Sequence, residues 1–227
     1  MKIGIIGALD CEVAQFCLDF KASETKVKGI YQGEYNGHTV YISLVGVGKV
    51  NAAANAQRLI DLFGVECVIN SGVAGCTTKK LGICDVAISD KLTYHDFYPI
   101  DCLEKYSPYT SEFKADEKLV KLCENACKKL SENEENFKYA VGMIVTGDQF
   151  IEDSNVVKRL GEKYNSLCTE MEGAAVAHVC TLNEVPFVVI RAMSDNADEK
   201  ADMSFQEMAS VAAKHACFVA KDMIENL

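Results

Sequence analysis

Five short stretches, KIGIIG (2–7), ECVIN (66–70), DVAIS (85–89), AVGMIV (140–145) and FVVIRA (187–192), are apolar almost without a break. A strand with one wet face alternates apolar and polar residues. A continuous apolar run of this length is instead read as a strand buried on both faces, in a sheet covered by helices on either side. The segments between the runs carry helical periodicity. Asp10–Phe20 puts Val13, Phe16 and Cys17 on one side, and the alanine-rich Lys49–Phe63 stops at Gly64. Further helices are expected over Phe113–Leu130, Asn155–Lys163, Gly173–Leu182 and Ser204–Glu225. Asn36-Gly37, set between GEY and HTVYISL, marks a hairpin over Ile30–Leu44, and Ser166–Thr169 reads as one more small strand. This alternation predicts an α/β fold: three αβα layers around a central mixed, mainly parallel sheet. The chain has 227 residues and no Pro/Ser/Gly-rich linker, so one domain over 1–227 is expected.

Charge and cysteine usage exclude several functions. A formal net charge of −10 repels a nucleic-acid backbone, and Lys128 and Lys129, beside the acidic run SENEEN, read as a solvated helix end. The eleven cysteines are scattered; the tightest pair is Cys123 and Cys127, and no CxxC occurs. Reduced cysteines are expected, with neither a metal site nor a disulfide framework. MKIGIIGALDCE lacks the pattern of a signal peptide, and no run approaches the roughly 18 apolar residues that span a bilayer. A cytoplasmic protein with no membrane partner is the expectation.

In folds of this class ligands bind at the carboxyl ends of the strands. The residues expected there are Ala8, Leu9, Asp10 and Glu12; GVGK (46–49), with Val47; SGVAG (71–75), with Val73, read as a turn; TGDQFI (146–151); Glu170 and Glu172 of TEMEGAA; and Arg191, Ser194, Asp195 and Asp198. Small residues let backbone N–H groups approach a ligand. Several carboxylates converging on one pocket suit acid/base chemistry on a neutral or cationic substrate and oppose a phosphate-rich one. GIIGAL lacks the third glycine of a dinucleotide fingerprint, and the residues after it have the wrong charge for a pyrophosphate. Of the histidines, His38 belongs to the hairpin and His178 and His215 to helices. His95, in TYHDFYP, is the one positioned to reach a pocket.

Taken in order, GIIGALDCEVA, GVGKVNAA, NSGVAG, ISDKLTYHD, TGDQFI, TEMEGAAVA and PFVVIRAMSDNAD resemble the purine nucleosidase branch of the nucleoside phosphorylase superfamily, most closely the 5′-methylthioadenosine/S-adenosylhomocysteine nucleosidases. The resemblance runs from residue 1 to about 222, and seven weak motifs in register make a strong one. It implies a nucleoside phosphorylase-like fold and hydrolysis of the bond between adenine and a 5′-thio-substituted ribose, with no cofactor and no metal. Carried over, Glu12 polarises the attacking water and Asp195 protonates N7 of adenine. Glu172 binds the ribose hydroxyls with Met171 against the sugar, Phe150 stacks on the purine, and the backbone of Ile151 reads its edge. Arg191 and Ser194 order the water and Asp195, and Ala8, Val47 and Val73 complete the substrate-binding set. The resemblance also implies a homodimer with a small nucleoside as ligand.

The residue types fit that chemistry on their own. Breaking an N-glycosidic bond builds positive charge on the ribose, which carboxylates stabilise more than they stabilise the ground state. Adenine leaves poorly as an anion, so a positioned acid contributes about 10²–10⁴-fold. Taken singly, Glu12 also fits a first-turn helix carboxylate, and Asp195 a turn residue. A phosphorylase needs arginines around its phosphate, and this chain has only Arg58, Arg159 and Arg191. A non-catalytic nucleoside binder on the same fold would keep Phe150 and Glu172 without needing Glu12 and Asp195 together. Two departures from the family pattern stand out. Val73 and Cys76 replace a usual serine and glycine, and residues 97–113, the family's 5′-substituent region, diverge.

Overall fold

The structure, a computed structural model, describes residues 1–196 and 205–227. In chain order the elements are β1 (Lys2–Gly7), α1 (Asp10–Asp19), β2 (Ser23–Glu24), β3 (Ile30–Tyr35), β4 (His38–Leu44) and α2 (Lys49–Arg58), which ends in a π-helical turn, Leu59–Phe63. Then follow β5 (Cys67–Cys76), β6 (Val86–Tyr94), the single turn α3 (Cys102–Lys105), β7 (Phe113–Lys114) and α4 (Glu117–Asn133). The chain closes with β8 (Tyr139–Thr146), α5 (Ser154–Tyr164), β9 (Cys168–Glu170), α6 (Gly173–Leu182), β10 (Phe187–Asn196) and α7 (Phe205–Glu225).

The sheet is mixed, and its long central ladders are parallel: β1 lies between β4 and β5, β5 beside β10, and β6 beside β8. Because β10 pairs with both β5 and β6, the strands β5, β10, β6, β8 and β9 close into a ring, and β1, β4, β3 and β2 extend from it as an open wing. Helices cover both faces. Ala52 and Ala56 of α2 pack with Ala174, Ala177 and Cys180 of α6 on one side. Phe16 of α1, Leu119 and Cys123 of α4, and Ala216 and Met223 of α7 pack on the other. This double cover is why β1, β5 and β10 read as unbroken apolar runs: Ile6, Val68 and Val189 are fully buried on the first side, and Ile5, Ile69 and Val188 on the second.

The hairpin forms at Asn36-Gly37, both with positive φ, as a turn matched to strand twist requires. Gly64, in the left-handed conformation, stops the second helix just after its π turn. Two expectations change. SGVAG is not a turn: β5 continues through it to Cys76, because β10 and β9 supply ladder partners on either side. Phe113–Leu130 is not one helix. Phe113 is a fully buried strand residue against β6, and the helix begins at Glu117 once the Asp116 carboxylate caps it by accepting the Leu119 N–H. Among the described residues no helix is long and apolar enough to cross a membrane.

Candidate active site

The carboxyl ends of β1, β5, β8, β9 and β10 meet at one cleft of about 140 Å³. Nine of the eleven residues that the resemblance assigns to the site line it: Ala8, Glu12, Val47, Val73, Phe150, Ile151, Met171, Glu172 and Ser194. Phe150 and Val47 stand half exposed at the mouth, whereas Glu12 and Glu172 are buried.

Glu12 occupies the first turn of α1 and folds back over the helix start. Its Oε2 accepts the N–H groups of Ala8 (2.7 Å) and Leu9 (2.9 Å), and its Oε1 accepts that of Val73 (2.9 Å). Residue 72 must be glycine for this, since a Cβ there would lie 2.4 Å from Glu12 Oε1. Burial pushes the Glu12 carboxyl above its ordinary value, and the Arg191 guanidinium and the three N–H donors pull the other way.

TEMEGAA crosses from strand to helix within three residues. β9 ends at Glu170, Glu172 is the N-cap of α6 with φ −133° and ψ −40°, and Gly173 opens the helix. A side chain at 173 would meet Leu92 at 2.8 Å, so the glycine lets the helix start tight against the sheet. The two glutamates differ in their partners. Glu170 Oε1 accepts the Thr146 hydroxyl. Its Oε2 accepts the N–H groups of Glu172 (3.0 Å) and Gly173 (2.6 Å) and Nη2 of Arg191 (2.5 Å). Among the described residues Glu172 Oε1 accepts only the Gly48 N–H (2.8 Å), and its Oε2 lies 3.8 Å from Arg191 Nη2. Burial and the neighbouring Glu170 charge push Glu172 up to about 7; Arg191 and the Gly48 N–H oppose this, and Glu12 adds to it.

Arg191 lies behind the wall of the cleft and does not line it. Its guanidinium is buried, with Nη2 also donating to Asn70 Oδ1 (2.6 Å). Burial disfavours its charge, but Glu170, Glu172 and Glu12 together outweigh that and hold it protonated. Ser194 donates a long hydrogen bond to Ala74 O (3.4 Å). The backbone of Asp195 pairs opposite Gly75 in the cleft wall after a bulge at Ser194; its side chain, like Asp198, lies outside the described residues. His95 is not part of the lining. Its ring packs against Gly147, where a Cβ would come within 2.3 Å of it, and burial lowers its pKa. Sequence reasoning gave no individual role to Asn70, Thr146, Gly72 or Gly48, although the last three lie in stretches expected at the strand ends. The first two carried a readable signal: each is a polar residue ending an otherwise apolar run, where a buried polar group needs a partner.

The arrangement offers two carboxylates to one ligand. One is anchored by backbone donors on both oxygens, the other is free to change charge near neutral pH, and the nearest cation is already committed to Glu170 and Asn70.

Three comparisons bear on this geometry. Residues 2–225 match the family model described as the phosphorylase superfamily. A 5′-methylthioadenosine/S-adenosylhomocysteine nucleosidase of Bacillus thuringiensis is 38% identical over the full length of both chains. Among solved structures, the same kind of nucleosidase from Colwellia psychrerythraea, in complex with adenine, superposes with a TM-score of 0.90 at 33% identity, covering 100% of this chain and 96% of that one. The futalosine hydrolase of Helicobacter pylori does so with a TM-score of 0.88 at 30% identity, covering 100% and 98%.

Proposed function

The chain belongs to the phosphorylase superfamily, among its 5′-methylthioadenosine/S-adenosylhomocysteine nucleosidases, and from that premise we propose that it hydrolyses 5′-thio-substituted adenosines to adenine and the thioribose. The observation that carries this reading is the pairing of Glu12 and Glu172 in one cleft, with Arg191 committed behind it. Phosphate would meet two carboxylates and no free guanidinium, whereas water and a developing ribosyl cation are suited to both.

In this mechanism Glu12, its Oε1 and Oε2 oriented by three N–H groups, takes a proton from water as the oxygen attacks the anomeric carbon. The electrons of the breaking C–N bond pass to the purine, whose N7 is protonated by Asp195. Glu172 accepts hydrogen bonds from the ribose hydroxyls and offsets the positive charge on the sugar. Phe150 stacks on the base at the open mouth, the Ile151 backbone reads its edge, and Met171 packs against the sugar. Ala8, Val47, Val73 and Ser194 shape the remaining wall, and Arg191 acts through Glu170 and Glu172. No cofactor or metal is required. Val73 offers no hydroxyl to water or sugar here. We further propose a cytoplasmic homodimer of single-domain subunits, with the exposed Tyr98, Tyr106 and Tyr109 of the divergent 97–113 segment at the interface and contributing to 5′-substituent choice.

Adenine release from methylthioadenosine, S-adenosylhomocysteine, adenosine and inosine, with and without phosphate, tests the proposal. Thio-substituted adenosines should be cleaved fastest, with no phosphate requirement. A strict need for phosphate, or faster cleavage of adenosine or inosine, would overturn it.

A further inference from the structure

The helix α2 starts without a cap of its own. Its N-cap is Gly48, no side chain of its own accepts there, and its first turn holds no acidic residue. The cap arrives from elsewhere in the chain. Asp148 Oδ1, in the loop after β8, accepts the Lys49 N–H at 2.8 Å. Asp148 is itself held: its N–H donates to Asp96 Oδ2 at 2.8 Å, and Lys49 Nζ reaches both oxygens of Asp96 at 2.7 Å and Asp148 Oδ2 at 3.5 Å. The result is a clasp joining three loops. What it fixes is the Gly48–Lys49 peptide, and the peptide just before it faces the cleft, because its N–H, that of Gly48, donates to Glu172 Oε1 at 2.8 Å. Gly48 has φ +102°, a conformation other residues rarely adopt, so this N–H has its direction only while the peptide after it is pinned.

We propose that Asp148 is a positioning residue for Glu172: by capping α2 it aims the Gly48 N–H at the carboxylate and so sets the orientation and charge of the ribose-side acid. This rests on the nucleosidase reading for its kinetic consequence, though not for its structural one. Around Glu172 the charged groups among the described residues are Glu170 from β9, Arg191 from β10 and Glu12 from α1. None of them belongs to the clasp. Loss of Asp148 therefore reaches Glu172 through the backbone and leaves its charged neighbours in place.

Asp148 stands on the surface, with its side chain about half exposed, so replacing it leaves the core intact. The test compares wild type, Asp148→Ala and Asp148→Asn, the last of which keeps an Oδ1 acceptor for the Lys49 N–H. Carboxyl ¹³C NMR follows the titration of Glu172, assigned by its disappearance in Glu172→Gln, and the pH profile of kcat/KM is recorded in parallel. In Asp148→Ala the Glu172 titration should move up by between about half and one pH unit, as expected for weakening one hydrogen bond to a charged acceptor. The acid limb of kcat/KM should move with it, lowering activity below pH 7 about three- to tenfold. Asp148→Asn should restore most of both. An unmoved titration in Asp148→Ala, or an Asn variant no better than Ala, would reduce Asp148 to a plain helix cap and overturn the proposal. A wild type that titrates as expected but releases no adenine would sink the nucleosidase reading and leave the positioning role standing.

Discussion

Arg191 and Lys49 each stand between two carboxylates. Arg191 lies 2.5 Å from Glu170 and 3.8 Å from Glu172, and Lys49 lies 2.7 Å from Asp96 and 3.5 Å from Asp148. The arrangements look alike on paper and differ in solvent. The side chains of Arg191 and Glu170 are each 2% exposed, those of Lys49 and Asp96 just over 20%. At the floor of the cleft, water offers no alternative partner, so every charge depends on a protein group already in place. At the rim, water and salt compete with each contact, and the geometry matters more than the attraction. The floor therefore holds the charges the chemistry needs, and the rim holds the backbone that aims at them.

The largest effect should come from breaking the floor. Glu170→Ala removes the acceptor of Arg191, of the Thr146 hydroxyl and of the Glu172 and Gly173 N–H groups at once. Leaving a buried guanidinium without its partner costs about 3–5 kcal/mol. Urea unfolding should read a loss of that size. A loss below 1 kcal/mol would mean that the floor is wetter than its burial indicates.

Much of this was legible in the chain. The strand KIGIIG, the helix Gly173–Leu182 and the hairpin at Asn36-Gly37 stand where the pattern put them, because apolar runs and glycine turns are local signals. The extension of β5 through SGVAG was not legible: it depends on β9 and β10, which arrive about 100 residues later in the chain. Within the site, Glu12 could be singled out as a carboxylate just past a strand end, and Glu172 as one beside glycine and alanine. The different duties of Glu170 and Glu172 could not. Spacing alone allows two outcomes, same side or divergent, and the choice is made by Thr146 and Arg191, which are remote in sequence. The clasp at the rim was likewise invisible, since Lys49, Asp96 and Asp148 come from three separate turns.

Glu172→Gln sharpens the contrast within the floor itself. Removing the charge that balances the ribosyl cation should lower kcat/KM about 10²–10³-fold, the range seen when one preorganised electrostatic partner is lost. The same change should make the protein more stable at high pH. Glu172 titrates at about 7 in the folded protein, above the 4.5 of a free glutamate. Its folded form therefore holds its proton more tightly than its unfolded form does, and stability from this group is greatest below pH 4.5 and is lost as pH rises through 7. Glutamine keeps an acceptor for the Gly48 N–H and never ionises. At pH 8 the variant should gain on the order of 3 kcal/mol over wild type, and below pH 4.5 the gain should vanish. A gain that grew on acidification would reverse the sign and refute the assignment of the raised group to Glu172.

Lys49→Met should show the smallest change in stability, and for a reason that separates rim from floor. Lys49 Nζ sits over the Tyr94 ring, 5.4 Å from its centroid, and methionine keeps an apolar stem there while losing this weak, partly exposed cation–π contact. What is lost is a partly exposed ion pair, worth about 1 kcal/mol or less because water takes over the freed carboxylates. Chemical unfolding in low and high salt distinguishes the cases. The deficit of Lys49→Met should shrink further at 1 M salt, where the screening length is about 3 Å, whereas that of Glu170→Ala should persist because buried charges are hardly screened. If the two deficits were equal and responded alike to salt, the rim would have to be counted as part of the buried floor. Asp96 and Asp148 would then hold Lys49 by attraction, and the clasp would not act chiefly by fixing the Gly48–Lys49 peptide.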